Sequence, residues 1–153
     1  MRCLKSFAVG MLVLGSFGAA LGQSPLAGEW TGALTIEIPD PAKAKDAETA
    51  KMRDSLQAMV AQVKVVLTMR ADGTFSLTAT QPGKEKPDRV EGKWTLKADK
   101  LEMLTVTQNG VAPKEEDKKV FTVAKDRKSF STLFDDEGDE MRARLTFTPK
   151  KPG

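Results

Sequence analysis

The sequence predicts a mainly β domain of about eight antiparallel strands in up-and-down order, closed into a barrel, with one amphipathic helix after the first strand. Three observations carry that expectation. Apolar and polar residues alternate in run after run between Trp30 and Thr148, the period-two signature of strands with one buried face. Short turn sequences such as Ala71-Asp72-Gly73 and Ala98-Asp99-Lys100 join successive runs, which favours antiparallel neighbours. One stretch, Ala42 to Gln62, instead repeats its apolar residues at helical spacing. Closing a meander of this kind into a barrel removes its exposed edges. Eight strands leave an interior just wide enough for side chains or one small ligand.

The first strand opens within Leu26-Ala27-Gly28-Glu29-Trp30-Thr31, a stretch echoed by Val90-Glu91-Gly92-Lys93-Trp94-Thr95. In each, a glycine permits close backbone approach and an indole two residues later supplies a large buried surface. Trp30, Gly32, Leu34, Ile36 and Ile38 share one face, and Pro39-Asp40-Pro41 stops the strand. Asp40 suits the cap of the following helix and Pro41 its first turn. Within that helix Met52, Leu56, Met59, Val60 and Val63 form an apolar stripe opposite Lys45, Asp46, Glu48, Lys51 and Arg53. The stripe fits either a lid over the barrel mouth or a core-packing seam; it lacks the Trp, Phe and dense basic flank of a membrane-surface helix.

Val63, Val65, Leu67 and Met69 then face inward, and after the turn Phe75, Leu77 and Ala79 return. Gln81 to Asp88, with Pro82, Gly83 and Pro87, reads as a solvated loop. Val90, Gly92, Trp94 and Leu96 make the next inward set. From Leu101 to Gln108 the alternation falters, because Leu101 and Met103 lie on one parity and Leu104 and Val106 on the other; a bulge or two-sided burial would explain that. Val120 to Ala124, Phe130 to Phe134 and Met141 to Phe147 complete the set, with Arg142, Arg144, Thr146 and Thr148 facing outward.

Composition narrows the chemistry. The chain has no histidine, no tyrosine and one cysteine, Cys3. Ser-His-Asp and Cys-His catalysis are therefore excluded, and no transition-metal site or metal cofactor is expected. Arg2 and Lys5, the apolar run Phe7 to Leu14 and the small-x-small sequence Ala20-Leu21-Gly22 read as a signal peptide over residues 1–22, leaving one domain at 23–153. Cys3 precedes the apolar run and so cannot be a lipidated first residue. The expected location is periplasmic or secreted, with no stable membrane anchor. Losing Arg2 and Lys5 takes the 24 basic residues to 22 against 21 acidic ones, a net charge of +1, which argues against a nucleic-acid partner.

Gly28-Glu29-Trp30, the Ala71-Asp72-Gly73-Thr74-Phe75 hairpin, and Gly92-Lys93-Trp94 followed by Asp99-Lys100-Leu101 make the chain resemble a bacterial lipocalin-like (calycin) domain. The resemblance implies a barrel that holds a small apolar molecule. Lipocalins usually place their main helix after the barrel, whereas here it follows the first strand, as in fatty-acid-binding proteins. Those proteins hold a carboxylate with an Arg-x-Tyr pair inside the barrel. Here Arg142-Ala143-Arg144 lacks the tyrosine and both arginines have outward parity.

These readings predict a non-enzymatic binding protein with no cofactor. Its ligand-binding candidates are Trp30, Leu34, Ile36, Leu67, Phe75, Trp94, Phe130 and Leu145, with Met52, Leu56, Met59 and Val60 as a lid. The alternative is a module with a filled barrel that contacts another envelope protein. The acidic run Asp135-Asp136-Glu137-Gly138-Asp139-Glu140 has its glycine at the fourth place rather than the sixth of an EF-hand loop, so it reads as a solvated turn.

Overall fold

Each alternating run folds as a strand, and each strand pairs antiparallel with its neighbour in sequence. The computed structural model describes residues 25–134 and 140–152. The expected signal peptide and the acidic run from Asp135 to Asp139 lie outside the described residues. The strands are β1 (Gly28–Glu37), β2 (Lys64–Met69), β3 (Thr74–Thr80), β4 (Asp88–Lys97), β5 (Lys100–Gln108), β6 (Lys118–Val123), β7 (Phe130–Phe134) and β8 (Arg142–Pro149). They close into one barrel in the order β1 to β8, with β8 returning to β1 along its whole length from Trp30 opposite Pro149 to Glu37 opposite Arg142. The eight-stranded up-and-down barrel read from the alternation is the observed architecture.

The helical region differs from the single helix expected. It is two helices, α1 (Pro41–Ala44) and α2 (Ala47–Val60), separated at Lys45-Asp46. Asp40 accepts a bond from the Ala42 amide and Pro41 occupies the first turn of α1, as the sequence implied. The break comes from a second cap. Asp46 takes an extended conformation and its carboxylate accepts from both the Thr49 amide (2.9 Å) and the Thr49 hydroxyl (2.7 Å). An aspartate that bonds the backbone three residues on starts a new helix rather than continuing the old one.

The faltering alternation in β5 is a bulge. Glu91 lies opposite Thr107 and Gly92 opposite Thr105, so Val106 is an extra residue on the β5 side. Before the bulge, Leu101 and Met103 face inward and are buried, while Leu104 lies opposite the outward Lys93. Gly92 is required there. A Cβ on it would sit 2.0 Å from the Leu104 carbonyl oxygen and 2.8 Å from the Phe75 ring.

The buried residues form one cluster, and they concentrate toward one end of the barrel. They are Leu26 before β1, Trp30 of β1, Val65, Leu67 and Met69 of β2, Phe75, Trp94, Leu101 and Met103, Phe121 and Val123, Phe130, and Leu145 and Phe147. Most of these residues lie close to the β2–β3, β4–β5 or β6–β7 turn, or to the chain ends beside those turns. The helices, the β3–β4 loop and the β5–β6 loop all lie at the other end.

Candidate functional site

The packed end is sealed from below by Leu26, which is fully buried and whose carbonyl accepts the Trp30 indole N–H at 2.9 Å. The Trp94 indole N–H is shared between the carbonyls of Arg70 and Thr74, each at 3.1 Å, and so pins the β2–β3 turn. Among them the aromatic rings interlock. Trp30 meets Phe130 edge-on at 4.8 Å, and Phe130 stacks on Phe147 at 5.1 Å. Buried indole N–H groups need acceptors, and here backbone carbonyls supply them without interrupting the ladders.

Six of the eight expected ligand-binding residues belong to this plug: Trp30, Leu67, Phe75, Trp94, Phe130 and Leu145. The other two, Leu34 and Ile36, stand in the opposite half and are only half-buried. Val63, Leu77, Ala79 and Val90 share that half and its inward parity, and they too are half-buried against the cluster. A side chain facing the inside of a closed barrel can meet solvent only through an end or a gap between strands. The partial exposure of these inward aliphatic residues shows that this end of the barrel, its mouth, is less tightly filled than the packed floor.

A few polar groups stand at the rim of that mouth. The register that places Met103 opposite Lys119 puts Lys119 on the inward parity of β6. Its ammonium lies 3.5 Å from Asp117 and 5.9 Å from the centre of the Phe134 ring. Asp117 also accepts from the Thr105 hydroxyl at 2.9 Å, and Thr132 of β7 donates its hydroxyl to the Val120 carbonyl at 2.9 Å. Apolar walls with a few convergent polar groups are the usual make-up of a small-molecule site.

The lid expectation meets a different helix face. Met52, Leu56 and Met59 are 54%, 36% and 66% exposed, and α2 buries no residue fully. Its half-buried residues are Thr49, Ala50, Arg53, Gln57 and Val60, and among the strands it rests on β1. The decisive contact is polar. Beyond Gly32, β1 continues without β2 beside it, and the Gln57 amide fills that place by accepting from the Ile36 N–H (2.9 Å) and donating to the Leu34 carbonyl (3.1 Å). The glutamine side chain thus satisfies backbone groups that a strand would otherwise pair. Only Val60 of the four expected lid residues turns partly inward, and with Met59, Gln62, Val63, Gln81 and Pro82 it lines an open cleft of about 350 Å³ beside the helix end.

Arg142 and Arg144 lie on the outer face, as their parity implied. Both bond Glu37 across the β1–β8 ladder, with Arg144 Nε at 2.6 Å and Arg142 Nε at 3.2 Å. The Arg144 hydrogen bond holds the Glu37 carboxyl below its ordinary pKa, with Arg142 adding to the effect, and Glu37 in turn raises that of Arg144. Among the described residues no three carboxylates or thiols are grouped to hold a metal ion, and no buried side-chain polar atom lacks a partner. Comparison with protein-family models, with curated proteins and with solved structures finds no match.

Proposed function

We propose that this chain is an exported, non-enzymatic binding protein that takes one small apolar molecule into the open half of its barrel. The observation that carries the reading is the unequal filling of the interior. Below the level of Val65 the barrel is packed with aromatic and aliphatic side chains, whereas the inward residues Leu34, Ile36, Val63, Leu77, Ala79 and Val90 at the other end are only partly buried. Apolar surface of this kind, concave and facing inward, gains most from a ligand that displaces its water. The eight-stranded closed barrel is compatible with a lipocalin-like fold, and membership of that family is part of the proposal. Export rests on the basic, apolar and small-residue segments of residues 1–22.

The test is titration with 1-anilinonaphthalene-8-sulfonate, whose fluorescence rises in apolar surroundings. Saturable binding with one site per chain is expected, and Leu77→Asp should weaken it at least tenfold while circular dichroism stays that of a folded barrel. A wild-type protein that binds no apolar probe would refute the carrier reading. One observation favours a second reading, docking to another envelope protein, namely the exposed stripe Met52, Leu56 and Met59. Met52→Ser with Met59→Ser should weaken such docking and leave probe affinity unchanged.

A further inference from the structure

The interior of an eight-stranded barrel is just wide enough for one small ligand, so a molecule passing the mouth enters most readily where the wall can spread. A wall held by backbone ladders spreads where its ladder is shortest. Among the described residues, the β6–β7 ladder pairs only Thr122 with Ser131 and Val123 with Phe130, both near the packed end. Each other neighbouring pair of strands shares five or more paired positions. Toward the open end the β6–β7 seam is bridged by a side chain instead, the Thr132 hydroxyl on the Val120 carbonyl at 2.9 Å.

We infer that this seam is the gate through which an apolar ligand enters, an inference that rests on the binding reading above. The seam is apolar on its outer side, and on its inner side Phe134 stands beside Lys119 and Thr132. Val120 and Leu133 are 44% and 37% exposed with outward parity, and Phe134, on the inward parity, is 40% exposed. An incoming apolar molecule therefore meets aliphatic surface outside, an aromatic ring at the lip, and the aliphatic half-barrel within. Opening the lip displaces Lys119 from its place above Phe134 and breaks one solvent-exposed hydroxyl bond. Another stretch of wall that lacks a backbone ladder among the described residues, beside Leu34 and Ile36, is closed by two part-buried bonds from Gln57 and by α2 itself. One exposed neutral bond yields more readily than two shielded ones. The gate is the weaker closure.

Two variants test this in a Cys3→Ser background, which removes the chain's single native thiol. Extending the register from Thr122 opposite Ser131 brings Val120 opposite Leu133, so Val120→Cys with Leu133→Cys can lock the seam with a disulfide. In stopped-flow mixing with 1-anilinonaphthalene-8-sulfonate, the oxidised form should associate and dissociate at least tenfold more slowly with its equilibrium affinity unchanged. Reductant should restore both rates. Thr132→Val removes the hydroxyl clasp without a thiol and should speed both rates about fivefold, the factor that one net hydrogen bond represents. Equal movement of the two rates marks a gate, because a lost ligand contact would change dissociation alone. Wild-type rates in the oxidised pair, or faster entry in Gln57→Ala but not in Thr132→Val, would overturn the seam while leaving the binding site standing. Absence of any probe binding by the wild type would overturn both.

Discussion

Gly92→Ala adds a single methyl group, and the structure places that methyl where nothing can receive it. Gly92 has no left-handed backbone angle, so alanine is free to adopt its conformation and strain in φ plays no part. The obstacle is the bulge. With Val106 extruded, the Leu104 carbonyl turns over Gly92, and an ideal Cβ would stand 2.0 Å from its oxygen and 2.9 Å from its carbon. Carbon and oxygen atoms do not approach below about 3 Å, so the β5 backbone must withdraw by roughly 1 Å. The Phe75 ring carbon at 2.8 Å crowds the same Cβ. Overpacking of a rigid site costs about 1–3 kcal/mol, and each ladder bond broken by the withdrawal adds about 1 kcal/mol. Replacing a strand glycine by alanine returns about 0.5–1 kcal/mol. With one ladder bond broken, the expected net loss is about 1–3.5 kcal/mol in urea unfolding, as a shift of the midpoint with the slope unchanged. Gly32→Ala is the internal comparison. Its Cβ would meet the Phe147 ring at 2.9 Å and Val65 carbons at 3.0 and 3.1 Å, which are side chains that can yield, so it should cost less. A loss below about 1 kcal/mol for Gly92→Ala, or a larger one for Gly32→Ala, would refute the account of the bulge.

Three further outcomes follow from the same geometry. Trp30→Ala should cost about 3–5 kcal/mol, the range for a fully buried large aromatic, because Trp30 is buried against Phe130 and bonded to Leu26; a near-neutral midpoint would place the ring at the surface. Glu37 has its carboxyl pKa lowered in the fold, chiefly by Arg144, so its contribution is fully present above the unfolded glutamate pKa and is lost as pH falls through the lower folded value. The melting temperature of Glu37→Gln should therefore converge on that of the wild type on acidification, and a constant difference from neutral pH to pH 2 would rule the linkage out. Gln57→Ala should leave the Ile36 amide without its acceptor; hydrogen exchange at Ile36 and along α2 should accelerate while the Phe147 amide is unchanged, and unaltered exchange at Ile36 would deny the glutamine its place in the wall.

The barrel was legible because period-two alternation reports a local fact, which face of a strand is buried. Trp30, Leu67, Phe75, Trp94, Phe130 and Leu145 all turn inward as read. Even the irregularity at Leu104 and Val106 was informative, since a parity change inside a strand has few physical causes and the bulge is one of them. The helix break was within reach as well. Asp46 followed three residues later by Thr49 offers the same capping chemistry recognised at Asp40, but a continuous alanine-rich pattern conceals a cap placed inside it.

What alternation does not report is height along the barrel, and the site depends on height. Inward parity gave one undivided list, yet Trp30, Leu67 and Phe130 form the floor while Leu34 and Ile36 line the mouth. The missing coordinate was present in the turns. An inward residue close to the β2–β3, β4–β5 or β6–β7 turn is floor, and one close to a long connection is mouth, which picks out Val63, Ala79, Val90 and Phe134. The helix follows the first strand as expected, and its inward face differs for a related reason. An apolar stripe at helical spacing is expected to pack, but packing needs an apolar partner, and β1 offers α2 an unpaired backbone edge. A carboxamide serves such an edge better than a methionine does, so Gln57 turns inward and Met52, Leu56 and Met59 turn out. The same unpaired-backbone logic identifies the β6–β7 seam. In a closed barrel every missing ladder bond is met by something else, and the identity of the substitute decides whether that stretch of wall is fastened or free to part.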